Sequence, residues 1–165
     1  MDSSLTHAYT LTARFPPSAA ARFSGYPEID VEALPPARVL KASEIAALVC
    51  PKDPQNCEGI VATFETERYE ILIRDSLDLD DAADNSFLLH ELGHVLHWKA
   101  RGDAIFEDCS EALRTEAEAY RAQNAYLKRE GQFLRFVEML MFTTCAAETD
   151  TLFPRDILIE PNAGK

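Results

Sequence analysis

The sequence lacks several features that mark large classes of protein. It contains no run of about 18 apolar residues, so we expect no segment that spans a membrane as a helix. Basic residues are scarce, with 16 Lys and Arg against 28 Asp and Glu, and they form no local cluster. The net charge of −12 repels phosphate groups, so we expect neither a nucleic-acid partner nor binding to an anionic membrane. No Cys-x-x-Cys spacing occurs, which argues against a zinc site built from cysteines alone.

The composition that remains is that of an ordinary folded domain. The chain has 165 residues, of which 47% are hydrophobic, enough for one domain with a core and too many for a disordered tail. The first twelve residues lack the basic region and apolar stretch of a signal peptide, so we do not expect one here.

The four cysteines fall into two pairs. Cys50 and Cys57 flank a short loop with two prolines, and Cys109 and Cys145 lie just outside two helices that we expect to be antiparallel. This pattern favours disulfides Cys50–Cys57 and Cys109–Cys145, and with them a periplasmic or secreted protein. The alternative is four reduced thiols in a cytoplasmic domain.

Composition and periodicity divide the chain into three segments. Residues 1–36 are predicted to form a Pro-rich N-terminal arm that wraps the domain, with a short helix near residues 18–22. Residues 37–148 are predicted to form the main domain. Residues 149–165 are predicted to be a tail packed on that domain, with a strand at residues 157–159.

The main domain mixes helical and strand patterns. Apolar spacing predicts a hairpin of two antiparallel strands, in which Tyr69, Ile71 and Ile73 share one side. The sequence therefore predicts an α+β fold, in which a small antiparallel sheet or hairpin packs on an α-helical core. The predicted helices cover residues 37–49, 86–100, 111–128 and 132–143, and the predicted strands cover residues 60–65 and 69–74.

The helix at residues 86–100 carries the sequence His90-Glu91-Leu92-Gly93-His94, an H-E-x-x-H motif. His90 and His94 are one turn apart, so both imidazoles can reach one metal ion. Glu91 is rotated by about 100° from His90, which places it beside the metal, where it can deprotonate a water molecule. Gly93 allows another backbone to pack closely against this helix.

A catalytic zinc ion needs a third protein ligand, and the next helix offers Glu111, Glu116 and Glu118. Glu116 is favoured because the small Ala119 on its next turn permits close helix packing. Glu118 projects about 200° away from Glu116, so both cannot be ligands. Tyr120 is predicted either to donate a hydrogen bond to an oxyanion or to pack in the core. A metzincin would have Gly and His at fixed positions after the motif, and here those positions hold His97 and Ala100, so that class is excluded.

The motif with a downstream glutamate helix resembles the compact gluzincin metallopeptidases, or minigluzincins, which share a thermolysin-like core. The resemblance covers residues 59–127 and implies that His90, His94 and Glu116 bind zinc (Zn²⁺) and that Glu91 is the general base. It also implies that residues 69–74 form an edge strand that aligns an extended peptide, with Tyr69, Ile71 and Ile73 binding substrate. Thermolysin-like enzymes have Asn before the ligand Glu and Asp four residues after it, whereas this chain has Thr115 and Tyr120.

The sequence therefore predicts a zinc-dependent peptidase whose partner is a peptide or protein substrate. The alternative is a zinc-binding regulatory or interaction module of gluzincin fold without peptidase turnover. The retention of Glu91 between the two histidines favours catalysis. A structural protein with a chance motif would bind no metal. The oligomeric state is left open.

Overall fold

The structure, a computed structural model, describes residues 8–9, 17–136 and 145. It confirms an α+β fold, in which helices enclose a small sheet. Three short 3₁₀ turns, Val31–Ala33, Pro54–Cys57 and Gly102–Phe106, connect the longer elements. In chain order, the strands and helices of these residues are β1 (Ala8–Tyr9), α1 (Pro17–Ser24), β2 (Ala37–Leu40), α2 (Ala42–Val49), β3 (Ala62–Glu65), β4 (Glu70–Arg74), α3 (Ala82–Arg101) and α4 (Cys109–Arg129).

The four strands form one mixed sheet in the order β1-β2-β4-β3. The predicted hairpin is confirmed, because β3 and β4 pair antiparallel with Ala62 opposite Ile73 and Glu65 opposite Glu70. The sheet is not purely antiparallel as predicted, since β2 runs parallel to β4.

The prediction of a helix over residues 37–49 is wrong for its first four residues, which form β2. The amide of Ile71 donates to the carbonyl of Pro36, and the amide of Asp75 donates to the carbonyl of Leu40, at 2.9 and 2.8 Å. The helix starts later because the Glu44 carboxylate accepts the backbone N–H of Lys41 at 2.8 Å. Pairing with a strand some thirty residues away thus outweighs the local helical pattern.

The prediction that residues 69–74 form an edge strand is also wrong. β4 lies between β2 and β3 and is paired on both sides. Ile71 and Ile73 are fully buried in the core, and Tyr69 precedes the strand with a left-handed φ of 51°. Among the described strands, the edge beside the motif helix belongs to β3.

The two faces of β4 contribute to separate apolar clusters. Ile71 and Ile73 pack with residues of α1, α3 and α4, whereas Leu72 packs on the other face with Ile45 of α2 and Ile60. This alternation follows from the period of two in a strand, and it places the sheet between two helical layers.

The helix of the Pro-rich segment is part of the main core. Ala19, Ala20 and Ala21 of α1 are buried in the same cluster as Leu89 and Leu92 of α3. The helix predicted near residues 18–22 is therefore confirmed. Its small side chains let α1 lie close to the motif helix.

The motif helix begins earlier than predicted and ends where predicted. The carboxylate of Asp81 accepts the amides of Ala83 and Asp84 at 2.8 and 3.2 Å, so α3 begins at Ala82. Gly102 follows its last residue with a φ of 60°, a conformation that glycine adopts without strain. Asp108 caps α4 in the same way by accepting the amide of Glu111 at 2.8 Å.

Both predicted disulfides are present. Cys50 and Cys57 close a short loop at the end of α2, and Cys109, the first residue of α4, is bonded to Cys145. Two disulfides in a small domain are typical of proteins from an oxidising compartment.

None of the helices in the described residues has both the length and the apolarity needed to cross a bilayer.

Residues 132–136 are not helical, and the rest of the predicted helix at residues 132–143 lies outside the described residues. The predicted tail and its strand at residues 157–159 also lie outside them.

Candidate metal centre

Three side chains that can ligate a metal converge between α3 and α4. His90 and His94 lie one turn apart on α3, and their Nε2 atoms are 3.0 Å apart. Glu116 reaches them from α4, with Oε2 at 3.2 Å from His90 Nε2 and Oε1 at 3.1 Å from His94 Nε2. The three ligand atoms lie within 4.8 Å of one another. The structure thus brings together the three residues predicted from the sequence as metal ligands.

Close packing of two small residues places Glu116 near the histidines. Gly93 of α3 faces Ala119 of α4, and a Cβ built on Gly93 would lie 3.7 Å from the Cα and Cβ of Ala119. The predicted approach of the two helices is confirmed at this point. The glycine is not required for it sterically, since 3.7 Å is an ordinary van der Waals contact.

Glu118 belongs to a different environment, as the predicted helix phase requires. Its carboxylate accepts the hydroxyl of Tyr26 at 3.1 Å and pairs with Arg114 at 2.9 Å. His97, seven residues after His90, is fully buried beside the Tyr26 ring, with its Nε2 3.3 Å from Glu118. Burial and the nearby His94 lower the pKa of His97 to about 3, so this imidazole is neutral. Neither residue belongs to the three-residue cluster.

The facing atoms of the cluster require a cation among them. Each of the three residues offers a lone pair, and lone pairs at about 3 Å repel one another unless a proton or a metal ion lies between them. Two imidazole nitrogens and one carboxylate oxygen are ligands that zinc accepts, and three protein ligands are the number found in catalytic zinc sites. The residues present therefore fit a metal ion of this kind.

The charges of the metal-free cluster show the same requirement. Burial, the largest single influence, lowers the pKa of His94, but the Glu116 carboxylate together with Glu91 outweighs it and raises the pKa to about 9. Burial would likewise raise the pKa of Glu116, yet the two histidines hold it well below its usual range. In the metal-free protein, protonated His94 thus supplies the positive charge that a metal ion would otherwise supply to this cluster.

Glu91 lies beside this cluster, with its carboxylate held by the sheet. Its Oε2 accepts the backbone N–H of Phe64 in β3 at 2.8 Å. The side chain is buried, which raises the pKa of Glu91, against the opposite influence of His90 and His94. A buried carboxyl next to a metal site is of the kind that takes up and releases protons in catalysis.

The outward direction of the Phe64 amide follows from the register of the hairpin. The amide of Arg74 donates to the carbonyl of Val61, so the backbone N–H and C=O of Val61 point towards β4. Backbone groups alternate along an antiparallel pair, and Ala62 and Phe64 therefore direct theirs away from β4. Glu91 thus binds the side of β3 with which no other described strand pairs.

Tyr120 lies against the cluster without belonging to it. Its ring centroid is 4.4 Å from that of His90, in an edge-on arrangement, and the residue is only 3% exposed. Burial raises the pKa of Tyr120, and Glu116 and Glu91 raise it further, so its hydroxyl stays protonated. It also packs with Val61 and Phe87, which is the core role considered for it from the sequence.

None of the predicted substrate-binding residues Tyr69, Ile71 and Ile73 belongs to the three-residue cluster. Ile71 and Ile73 are buried in the core, and the Tyr69 hydroxyl donates to the carbonyl of Ala33. The solvent reaches the cluster instead at Glu116 and His94, whose side chains are 27% and 12% exposed.

Sequence reasoning missed two contacts of this site. Phe64 was not recognised because its role depends on the backbone of a distant strand. Gln123, fully buried, places Oε1 3.1 Å from His90 Nδ1. The available signal was its spacing, since Gln123 follows Glu116 by seven residues and so shares its helix face.

Comparisons with protein-family models, with curated proteins and with solved structures found no match to this chain.

Proposed function

We propose that this protein is a zinc-dependent peptidase. The observation that carries the proposal is the position of Glu91, a buried carboxylate that accepts the backbone N–H of Phe64 in β3 and lies beside the His90, His94 and Glu116 cluster. A purely structural metal site has no need of such a group. The proposal agrees with the resemblance of the motif to the minigluzincins.

The three ligands would be His90 and His94 through Nε2 and Glu116 through its carboxylate. When bound there, zinc would supply Lewis acidity, which polarises a carbonyl and lowers the pKa of water. A metal other than zinc with the same ligand preference is an outcome that elemental analysis would reveal.

Glu91 would move the proton during the reaction. Its carboxylate would accept a proton from the attacking water and then donate it to the amine of the leaving group. The hydrogen bond from Phe64 keeps one carboxylate oxygen in place, so the other is left for this transfer.

Substrate alignment is assigned to β3 rather than β4. Among the described strands, none pairs with β3 on the side of Glu91, where the Phe64 amide donates to the Glu91 carboxylate. An extended peptide that adds to a sheet pairs with such an edge. The two disulfides support a periplasmic or secreted location for this activity.

The test is cleavage of a proteome-derived peptide mixture, read by mass spectrometry, with zinc content measured on the same samples. We expect the wild type to cleave peptides and Glu91→Gln to lose about 100- to 10,000-fold in rate while retaining zinc. Glu118→Gln is the matched control, because it changes a carboxylate of the same region outside the cluster. Cleavage by Glu91→Gln at the wild-type rate would refute the proposed base. A zinc-loaded wild type that cleaves nothing would favour the regulatory module instead.

A further inference from the structure

The amide of Gln123 lies on the far side of His90 from the metal cluster. Gln123 is fully buried on α4, and its Oε1 is 3.1 Å from His90 Nδ1. The other ring nitrogen, Nε2, faces Glu116 and His94. Gln123 therefore contacts the one nitrogen of His90 that does not face the cluster.

The orientation of this amide is fixed by Ser86 on α3. The hydroxyl of Ser86 donates to the carbonyl of Ala83 at 2.6 Å, and a carbonyl can only accept. Because this uses the single hydroxyl proton, Ser86 Oγ can only accept from Gln123, whose Nε2 lies at 2.9 Å. The NH₂ group thus faces Ser86, and the carbonyl oxygen of Gln123 faces His90.

This orientation determines which nitrogen of His90 carries the proton. A carbonyl oxygen opposite Nδ1 requires Nδ1–H, and the neutral ring then has its lone pair on Nε2. We infer that Gln123 is a positioning residue that holds His90 in the Nδ1–H tautomer and so directs the Nε2 lone pair to the metal. This inference rests on the proposed metal site. Ser86 acts through Gln123 by preventing rotation of its amide.

The place of Gln123 on α4 follows from the packing around His90. Ligating histidines usually donate their second N–H to a carboxylate, a carbonyl or water. The position one turn after Glu116 is occupied by Tyr120, whose ring packs against the ring of His90. The acceptor comes instead from Gln123, one turn further along the same face. A neutral amide orients the imidazole without adding another negative charge to the buried site.

The test uses two measurements, neither of which requires peptide cleavage. The first is the tautomer of His90 in the metal-free protein, read from long-range ¹H–¹⁵N correlations with the imidazoles neutral. The second is zinc affinity, measured by competition with a chromophoric chelator. For Gln123→Leu we expect a mixture of His90 tautomers and about 10- to 100-fold weaker zinc binding. For Gln123→Glu we expect the wild-type tautomer and zinc binding at least as tight, because the carboxyl still offers an acceptor.

The matched control is Thr115→Val, which also removes a buried polar group of α4. The Thr115 hydroxyl donates its proton to the carbonyl of Glu111 on its own helix. We expect this variant to leave both measurements unchanged. Equal losses of affinity in Thr115→Val and Gln123→Leu, or a wild-type tautomer in folded Gln123→Leu, would overturn the inference.

The remaining outcomes are also decisive. Should Gln123→Leu not fold, Gln123→Glu decides, and an altered tautomer with more than 10-fold weaker binding in that variant would overturn the inference. Absence of zinc binding by the wild type would refute the proposed function, and the tautomer measurement would still test the role of Gln123.

Discussion

Replacing Glu116 with Gln should change the titration of His94 in the metal-free protein by more than two pH units. In the wild type the Glu116 carboxylate, with Oε1 3.1 Å from His94 Nε2, together with Glu91 outweighs burial and raises the pKa of His94 to about 9. An amide of the same shape removes this charge and leaves burial as the largest influence. We therefore expect the midpoint to fall from about 9 to 6.5 or below.

The sequence makes this measurement practicable, because it contains only four histidines. Protein with ¹³C-labelled histidine, stripped of metal, would be titrated by NMR, and the His94 signal would be assigned from a His94→Gln variant. Glu118→Gln, which changes a carboxylate outside the cluster, should leave the midpoint near 9. A wild-type midpoint near 6.5, or no change in Glu116→Gln, would refute the electrostatic description of the cluster.

The raised pKa of His94 also links pH to the stability of the metal-free protein. Folding raises the pKa of His94 from 6.5 to about 9, so the folded state binds this proton more tightly than the unfolded state does. The resulting stabilisation is complete at pH values below 6.5 and is lost as the pH rises through about 9. A shift of this size corresponds to about 3 kcal/mol of unfolding free energy. Urea unfolding at pH 6 and pH 10 would show the loss, and Glu116→Gln should largely abolish it.

Two further predictions concern stability. Gly93→Ala should raise the free energy of unfolding by up to about 1 kcal/mol, because alanine favours a helix. The added Cβ would make only ordinary contacts, 3.7 Å from Ala119. If urea unfolding shows a destabilised variant, the two helices cannot accommodate the added methyl group. Replacing both Cys109 and Cys145 with Ser should lower the free energy of unfolding by about 4 kcal/mol, because this bond spans 36 residues. Replacing both Cys50 and Cys57 should lower it by about 2.5 kcal/mol, because this bond spans only 7 residues and restricts the unfolded chain less. A larger loss from the Cys50 and Cys57 replacement, measured under non-reducing conditions, would contradict this reasoning.

The candidate ligands were predictable because their placement depends mainly on helix geometry. His90 and His94 share a face through the helical repeat alone, and Glu116 required only that two helices pack closely at small residues. The confirmed contact between Gly93 and Ala119 shows why that reasoning succeeded. Local periodicity is thus enough to identify a cluster that two neighbouring helices form.

The errors concern pairings between segments that are distant in the chain. Residues 37–40 have apolar positions that suit a helix, yet they pair with β4, whose position cannot be deduced from their own pattern. The same parallel strand moves β4 to the interior and leaves β3 at the edge beside Glu91. The contact of Phe64 was missed for this reason, since it depends on which strand lies beside Glu91. Gln123 was missed although its seven-residue spacing from Glu116 was a local signal.

The most direct test of the proposed metal centre is the metal content of protein purified without chelators or immobilised nickel. Elemental analysis should find about one zinc ion per chain in the wild type and in Glu118→Gln, and little in Glu116→Gln after dialysis. The account would be contradicted if the wild type contained no zinc even after zinc is added back. It would also be contradicted if Glu116→Gln retained zinc while Glu118→Gln lost it.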